Sequence, residues 1–98
     1  MKILFLSYKE SINDELMDIL DELGIASFTK WDEVLSRRES GHSRMGTHIW
    51  PGVNSALILA VEDDTAERLM ARVRSFNETL KFEGITAMSW NLDDACSK

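Results

Sequence analysis

One cysteine, one proline and one tyrosine occur among the 98 residues of this chain. The lone Cys96 stands close to the C-terminus, so no internal disulfide can form, and a reducing cytoplasm fits that usage. No apolar run approaches the roughly 20 residues of a membrane span. The run Ile3-Leu4-Phe5-Leu6 is too short for a secretory signal and is soon followed by charge. Positive charge is scarce as well: 11 Lys and Arg stand against 17 Asp and Glu, a formal net charge of −6. Clustered Lys and Arg dominate nucleic-acid affinity, so a phosphate-backbone partner is disfavoured. Catalytic signatures are missing too, with no Ser-His-Asp spacing, no Walker loop and no Gly-x-Gly-x-x-Gly fingerprint. These absences leave a soluble, cytoplasmic, non-enzymatic chain, expected to form a single domain over residues 1–98.

What is present is distributed unevenly. The stretch from Asp32 to Gly52 holds both histidines, His42 and His48, together with Pro51 and the glycines Gly41, Gly46 and Gly52. Arg37, Arg38 and Arg44 lie in it, and Trp31 and Trp50 stand at its ends. It joins two strand-like segments, and structureless connections beyond about 12–15 residues are mostly functional or disordered. A chain that concentrates its special residues there is expected to bind something with it.

Around that stretch the periodicity is regular. Ile3 to Leu6 is apolar at every position and predicts a strand buried on both faces. Ser11 is the expected N-cap of a first helix, in which Ile12, Leu16, Ile19, Leu20 and Leu23 form one stripe and Gly24 supplies the stop. A more polar strand is expected over Ile25 to Trp31, and a third, apolar strand over Ser55 to Val61. Asp64 with Glu67 predicts a capping box for a second helix, whose buried face is Ala66, Leu69, Met70, Val73, Phe76 and Leu80. Gly84 leads into a fourth strand over Ile85 to Leu92, and residues 93–98 read as a frayed tail.

The order β-α-β-loop-β-α-β is the split-βαβ, ferredoxin-like pattern of the α+β class. Right-handed crossovers place both helices on one face of a four-stranded antiparallel sheet, with strands one and three central. Helices then cover only one face, yet the central strands are apolar on both. An antiparallel sheet open to water should alternate apolar and polar residues. A homo-oligomer with facing sheets is therefore expected, against the plainer reading that the long loop covers part of that face.

The segment Gly24-Ile25-Ala26-Ser27-Phe28-Thr29-Lys30-Trp31, then Gly41, Gly46-Thr47-His48-Ile49-Trp50-Pro51 and Asn54, resembles the small PII-like signalling proteins, relatives of the nitrogen regulatory protein P-II. The resemblance covers essentially the whole chain. It implies a homotrimer with its sheets turned inward and a T-loop at about residues 32–52. It also implies a small effector at the intersubunit cleft by the loop base, and a protein target for the loop, in some relatives a membrane transporter. Two features depart from the family. The segment Asn77 to Gly84 carries one lysine and one glycine where a phosphate cradle needs convergent N–H groups and cations, and Asp93 and Asp94 follow the fourth strand. The usual ATP cradle is thus missing, and the effector is unknown: a metabolite, a nucleotide or a divalent metal.

Candidate site residues follow from that frame, each with a plainer alternative. Trp31 and Trp50 either stack over a ligand or simply pack. Arg37 and Arg38 either clamp an anion bidentately or are solvated beside Glu33 and Glu39. Thr29, Thr47 and Asn54 offer polar groups near the same cleft, with Gly46 adjoining, and Trp90 either lines it from a neighbouring subunit or packs. His42 and His48 are candidate ligands for copper, zinc or nickel, or else a loop-base hydrogen bonder and a solvated side chain. The metal reading makes the chain similar to the CutA divalent-cation tolerance family, which is the alternative function. A dimeric alpha-beta-barrel enzyme is a third possibility.

Overall fold

The apolar runs at Ile3-Leu6 and Ala56-Val61 become the two central strands of a four-stranded sheet. The computed structural model describes residues 1–36, 54–81 and 84–98. In chain order the elements are β1 (Lys2–Lys9), a 3-10 turn (Glu10–Ile12), α1 (Asn13–Glu22), β2 (Thr29–Val34), β3 (Asn54–Val61), α2 (Asp63–Glu78) and β4 (Thr86–Asn91). The sheet order is β2-β3-β1-β4, and every neighbouring pair is antiparallel. This is the expected ferredoxin-like α+β architecture.

Register decides what each face carries. Leu4 lies opposite Leu59, Leu6 opposite Leu57 and Tyr8 opposite Ser55, so these residues share one face of the sheet. Leu16, Ile19 and Leu20 of α1 close over that face with Ala66, Leu69 and Val73 of α2, forming a single buried cluster. Burying each such leucine is worth about 1.5–3 kcal/mol, which makes this layer the main source of stability. The helical stripes are thus placed as their spacing implies. Met70 and Phe76 pack only partly against the core, and Leu80 lies beyond the end of α2.

Element ends differ from the sequence expectation in ways that have physical causes. Ser11 caps nothing, because it sits inside the 3-10 turn; Ile12 occupies the N-cap of α1 with no side-chain cap bond. α2 begins one residue early, at Asp63, with Glu62 at its N-cap and again no side-chain cap. Asp63 instead lies 3.0 Å from the amino group of Met1. The acids of each first turn still face the positive helix end.

Gly24 does end α1, with a φ of 73° that favours glycine. Its N–H donates to the carbonyl of Asp21 (3.0 Å), and the Ile25 N–H reaches back to Leu20 (2.9 Å), a Schellman arrangement. Ile25 is therefore the buried hydrophobic lock of a helix end rather than a strand residue. β2 accordingly starts at Thr29 and runs on to Val34, past the expected end at Trp31.

Candidate ligand-binding face

Among the described residues no helix lies on the second sheet face. Its residues follow from the register: Thr29, Trp31 and Val34 on β2, then Asn54, Ala56, Ile58 and Ala60 on β3. Ile3, Phe5 and Ser7 continue it on β1, with Thr86, Met88 and Trp90 on β4. Trp31 and Trp90 are each 47% exposed and Met88 is 51% exposed, while Phe5 and Ile58 are half-buried. Half of that face is thus large apolar surface, and no helix among the described residues covers it. Exposed apolar surface of this kind marks an interaction site more often than chance.

At the centre of the face lies a concavity of about 570 Å³. Phe5, Ser7 and Ala56 come from its central strands, Trp31 and Val34 from β2, and Thr86 and Met88 from β4. Leu35 and Ser36 complete it where the chain leaves β2. Large apolar side chains with a few hydroxyls suit a flat organic group or the apolar surface of another polypeptide.

On the helix-covered side, at the same end of the sheet, a polar cluster ties two strands and the 3-10 turn together. Lys30 Nζ lies 2.9 Å from Asp32 Oδ1 and 3.6 Å from Glu10 Oε1. The buried Ser55 hydroxyl donates to Glu10 and sits 3.4 Å from Asp32 Oδ1. Beside them, Tyr8 Oη donates to Asn13 Oδ1 at 2.7 Å. The hydrogen bond to Asp32 holds the Lys30 ammonium above its ordinary pKa, and the same bond holds Asp32 below the usual carboxylate value. Burial pushes the Tyr8 phenol up, with Glu10 and Asp32 adding to the shift and Lys30 opposing it. Both members of the Lys30–Asp32 pair are therefore charged near neutral pH.

Little in the local pattern warns of this cluster. Lys30 and Asp32 are two apart on a strand and so share a face, but Glu10 and Ser55 are 45 residues apart and only the fold joins them.

The expected site residues divide three ways. Thr29, Trp31 and Asn54 all lie on the open face, with Asn54 buried at the end of the sheet next to residues 37–53, Trp31 one row in and Thr29 at mid-face opposite Ile58. Trp90 lies on the same face but at the far corner, on the opposite edge strand and level with Ile3 rather than Ser7. Within one chain it does not join the other three. Arg37, Arg38, His42, Gly46, Thr47, His48 and Trp50 lie outside the described residues. Among the described residues no group of three or more His, Cys, Asp or Glu side chains could hold a metal ion. Cys96 is exposed.

One further feature shapes the approach to β4. The Asn77 side chain donates to the Ile85 carbonyl (2.9 Å) and accepts from the Ile85 N–H (2.8 Å), imitating a strand neighbour. Any Cβ on Gly84 would run into Asn77 Oδ1, so glycine is required there by close approach.

No family model matches the sequence, and no curated protein matches it either. Solved structures do. A PII-like signalling protein of Thermus thermophilus superposes with a TM-score of 0.63 at 20% identity, over 93% of this chain and 85% of its own. The apo form of CPII, a nitrogen regulatory PII-like protein of Thiomonas intermedia, gives 0.68 at 15% identity, over 91% and 85%. CPII bound to ADP, AMP and bicarbonate gives 0.66 at 17%, over 97% and 94%.

The fold is that of the PII-like signalling proteins.

The resemblance read from Gly24 to Asn54 is matched by shape across nearly the whole chain, at identities too low for a sequence comparison to register. No helix among the described residues is long and apolar enough to cross a membrane.

Proposed function

We propose that this chain is a divergent PII-like regulatory protein. It works as a homotrimer, senses a small ligand between subunits, and acts on a protein partner through residues 32–52. One observation supports the reading: a PII-like fold whose second sheet face is apolar from Ile3 and Phe5 to Trp31, Met88 and Trp90 and is covered by no helix among the described residues. Such a face is stable in water when copies bury it against one another. Association also explains Trp90. It lies too far from Trp31 to share a ligand within one subunit, but edge strands of neighbouring subunits can meet.

The ligand cleft is then at the end of β2, with Thr29, Trp31 and Asn54 from one subunit and Trp90 from the next. Arg37, Arg38, Gly46, Thr47, His48 and Trp50 complete it from the intervening segment. CPII has been solved with ADP, AMP and bicarbonate, so adenine nucleotides and bicarbonate are the first ligands to try. A single lysine and a single glycine between Asn77 and Gly84 favour a small anion over a triphosphate. The chain performs no chemistry of its own in this reading. Its cytoplasmic location and a transporter as target belong to the same proposal.

Sedimentation at micromolar concentration, followed by calorimetric titration with ADP, AMP, ATP, bicarbonate, Zn²⁺ and Cu²⁺, tests it. A trimer that binds bicarbonate or a nucleotide is the expected result. A stable monomer removes the proposal at its root, and a trimer that binds only metal, lost on substituting His42 and His48, replaces it with the CutA-like function.

A further inference from the structure

β2 carries one residue too many. Trp31 lies opposite Ala56 and Val34 opposite Asn54, so three steps along β2 match two along β3. The bulge contains Glu33, whose φ of 56° lies in the left-handed region. A glutamate has no intrinsic reason to adopt that conformation, and such outliers persist only where the surroundings enforce them. Next to it, Asp32 is gripped by Lys30 at 2.9 Å and touched by the buried Ser55, while Lys30 is steadied by Glu10. Lys30 is half-buried while Asp32 is exposed, so the ion pair alone is weak and the buried Ser55 hydroxyl and Glu10 complete the grip.

We propose that Glu10, Lys30, Asp32 and Ser55 form a register latch. It holds β2 in the bulged register in which Val34 faces the open side. Its release lets Glu33 return to extended backbone and carries Val34 to the other side of the sheet. A strand repeats every two residues, so removing one bulge residue inverts everything beyond it. Val34 now lines the concavity beside Trp31. In the released register it does not. The latch thus decides whether Val34 completes the concavity's β2 wall beside Trp31. It is a property of the ligand-free chain, independent of the effector.

Amide hydrogen exchange and side-chain NOEs, measured by NMR on the ligand-free protein, test it with three variants. Lys30→Met and Ser55→Ala are expected to raise exchange at Val34 and Leu35 at least about tenfold, leaving β1 and the Ala56–Ala60 part of β3 protected. Both should also remove Val34 from its NOE contacts with the open face. Glu33→Gly keeps the latch and removes the strain, so it should preserve those contacts with equal or slower exchange. Unchanged protection in both latch variants overturns the proposal. So does a uniform rise across all strands, which signals plain destabilisation, or a loss of the bulge in Glu33→Gly. Failure to bind any ligand would undo the proposed function without touching these results.

Discussion

The two faces of the sheet are drawn from the same strands, and they are finished differently. On one side Leu4, Leu6, Leu57 and Leu59 meet Leu16, Leu20 and Leu69 and are closed off within a single chain. On the other, Phe5, Ile58, Trp31, Met88 and Trp90 stay partly or largely open. The first face explains how the chain folds. The second is the basis of the proposed association, because apolar area left in water drives it. Substitutions should therefore separate into two classes: those on the covered face change stability, and those on the open face change assembly.

The largest effect is expected on the covered face. Leu57→Ala, at a fully buried site, should cost about 2–5 kcal/mol in urea denaturation, and a loss below that range would mean the helices pack loosely. Phe5→Asp should act on the other class. A charge at the centre of the open face should turn a sedimenting oligomer into monomer while the far-ultraviolet circular dichroism of the fold survives. If assembly persists, the open face is not the interface.

Asn77→Ala sharpens the comparison from outside the sheet. It removes both hydrogen bonds to Ile85 and should cost about 1–3 kcal/mol, read as a drop in the urea midpoint. Gly84→Ala should do similar damage, because its methyl displaces the same side chain. A smaller effect is expected of Arg72→Ala. Arg72 Nε and Glu22 Oε2 pair at 2.9 Å between α2 and α1, but both are well exposed, and the melting temperature should scarcely move.

The smallest effect is that of pH on the latch. Asp32 is depressed, so its contribution is complete above the ordinary aspartate value and is lost only as pH falls through the lower folded value. Lys30 is raised, so its contribution is complete below the ordinary lysine value and is lost only as pH rises through the higher folded one. Exchange at Val34 and Leu35, corrected for intrinsic rates, should be flat between about pH 5 and about pH 9. A transition inside that window would show that another titrating group controls the bulge.

Much of the architecture was legible because periodicity and topology agree. The stripes of both helices, the stop at Gly24 and the central placement of β1 and β3 all follow from local pattern plus the handedness of crossovers. Local chemistry misled where two motifs look alike. Ser11 and Asp64 have the composition of caps, yet the helices start at Asn13 and Asp63 because a 3-10 turn and an extended Glu62 precede them. Ile25 reads as the first residue of a strand but serves as the lock of the α1 terminus. Of the site, Thr29, Trp31 and Asn54 were visible as flanks of the long connection. Trp90 was visible as an aromatic, though not as one standing at the opposite corner. The Lys30 cluster was not visible, since its members are polar residues of ordinary type scattered over two strands and the 3-10 turn.

By itself the sequence determined which residues leave water: runs apolar at every position demand cover on both faces, and helical stripes supply it for one. Only the tertiary structure decided which residues meet across the sheet. A bulge of one residue at Glu33, invisible in any local pattern, sets whether Val34 points inward or outward, and hydrogen bonds between segments distant along the chain hold it there.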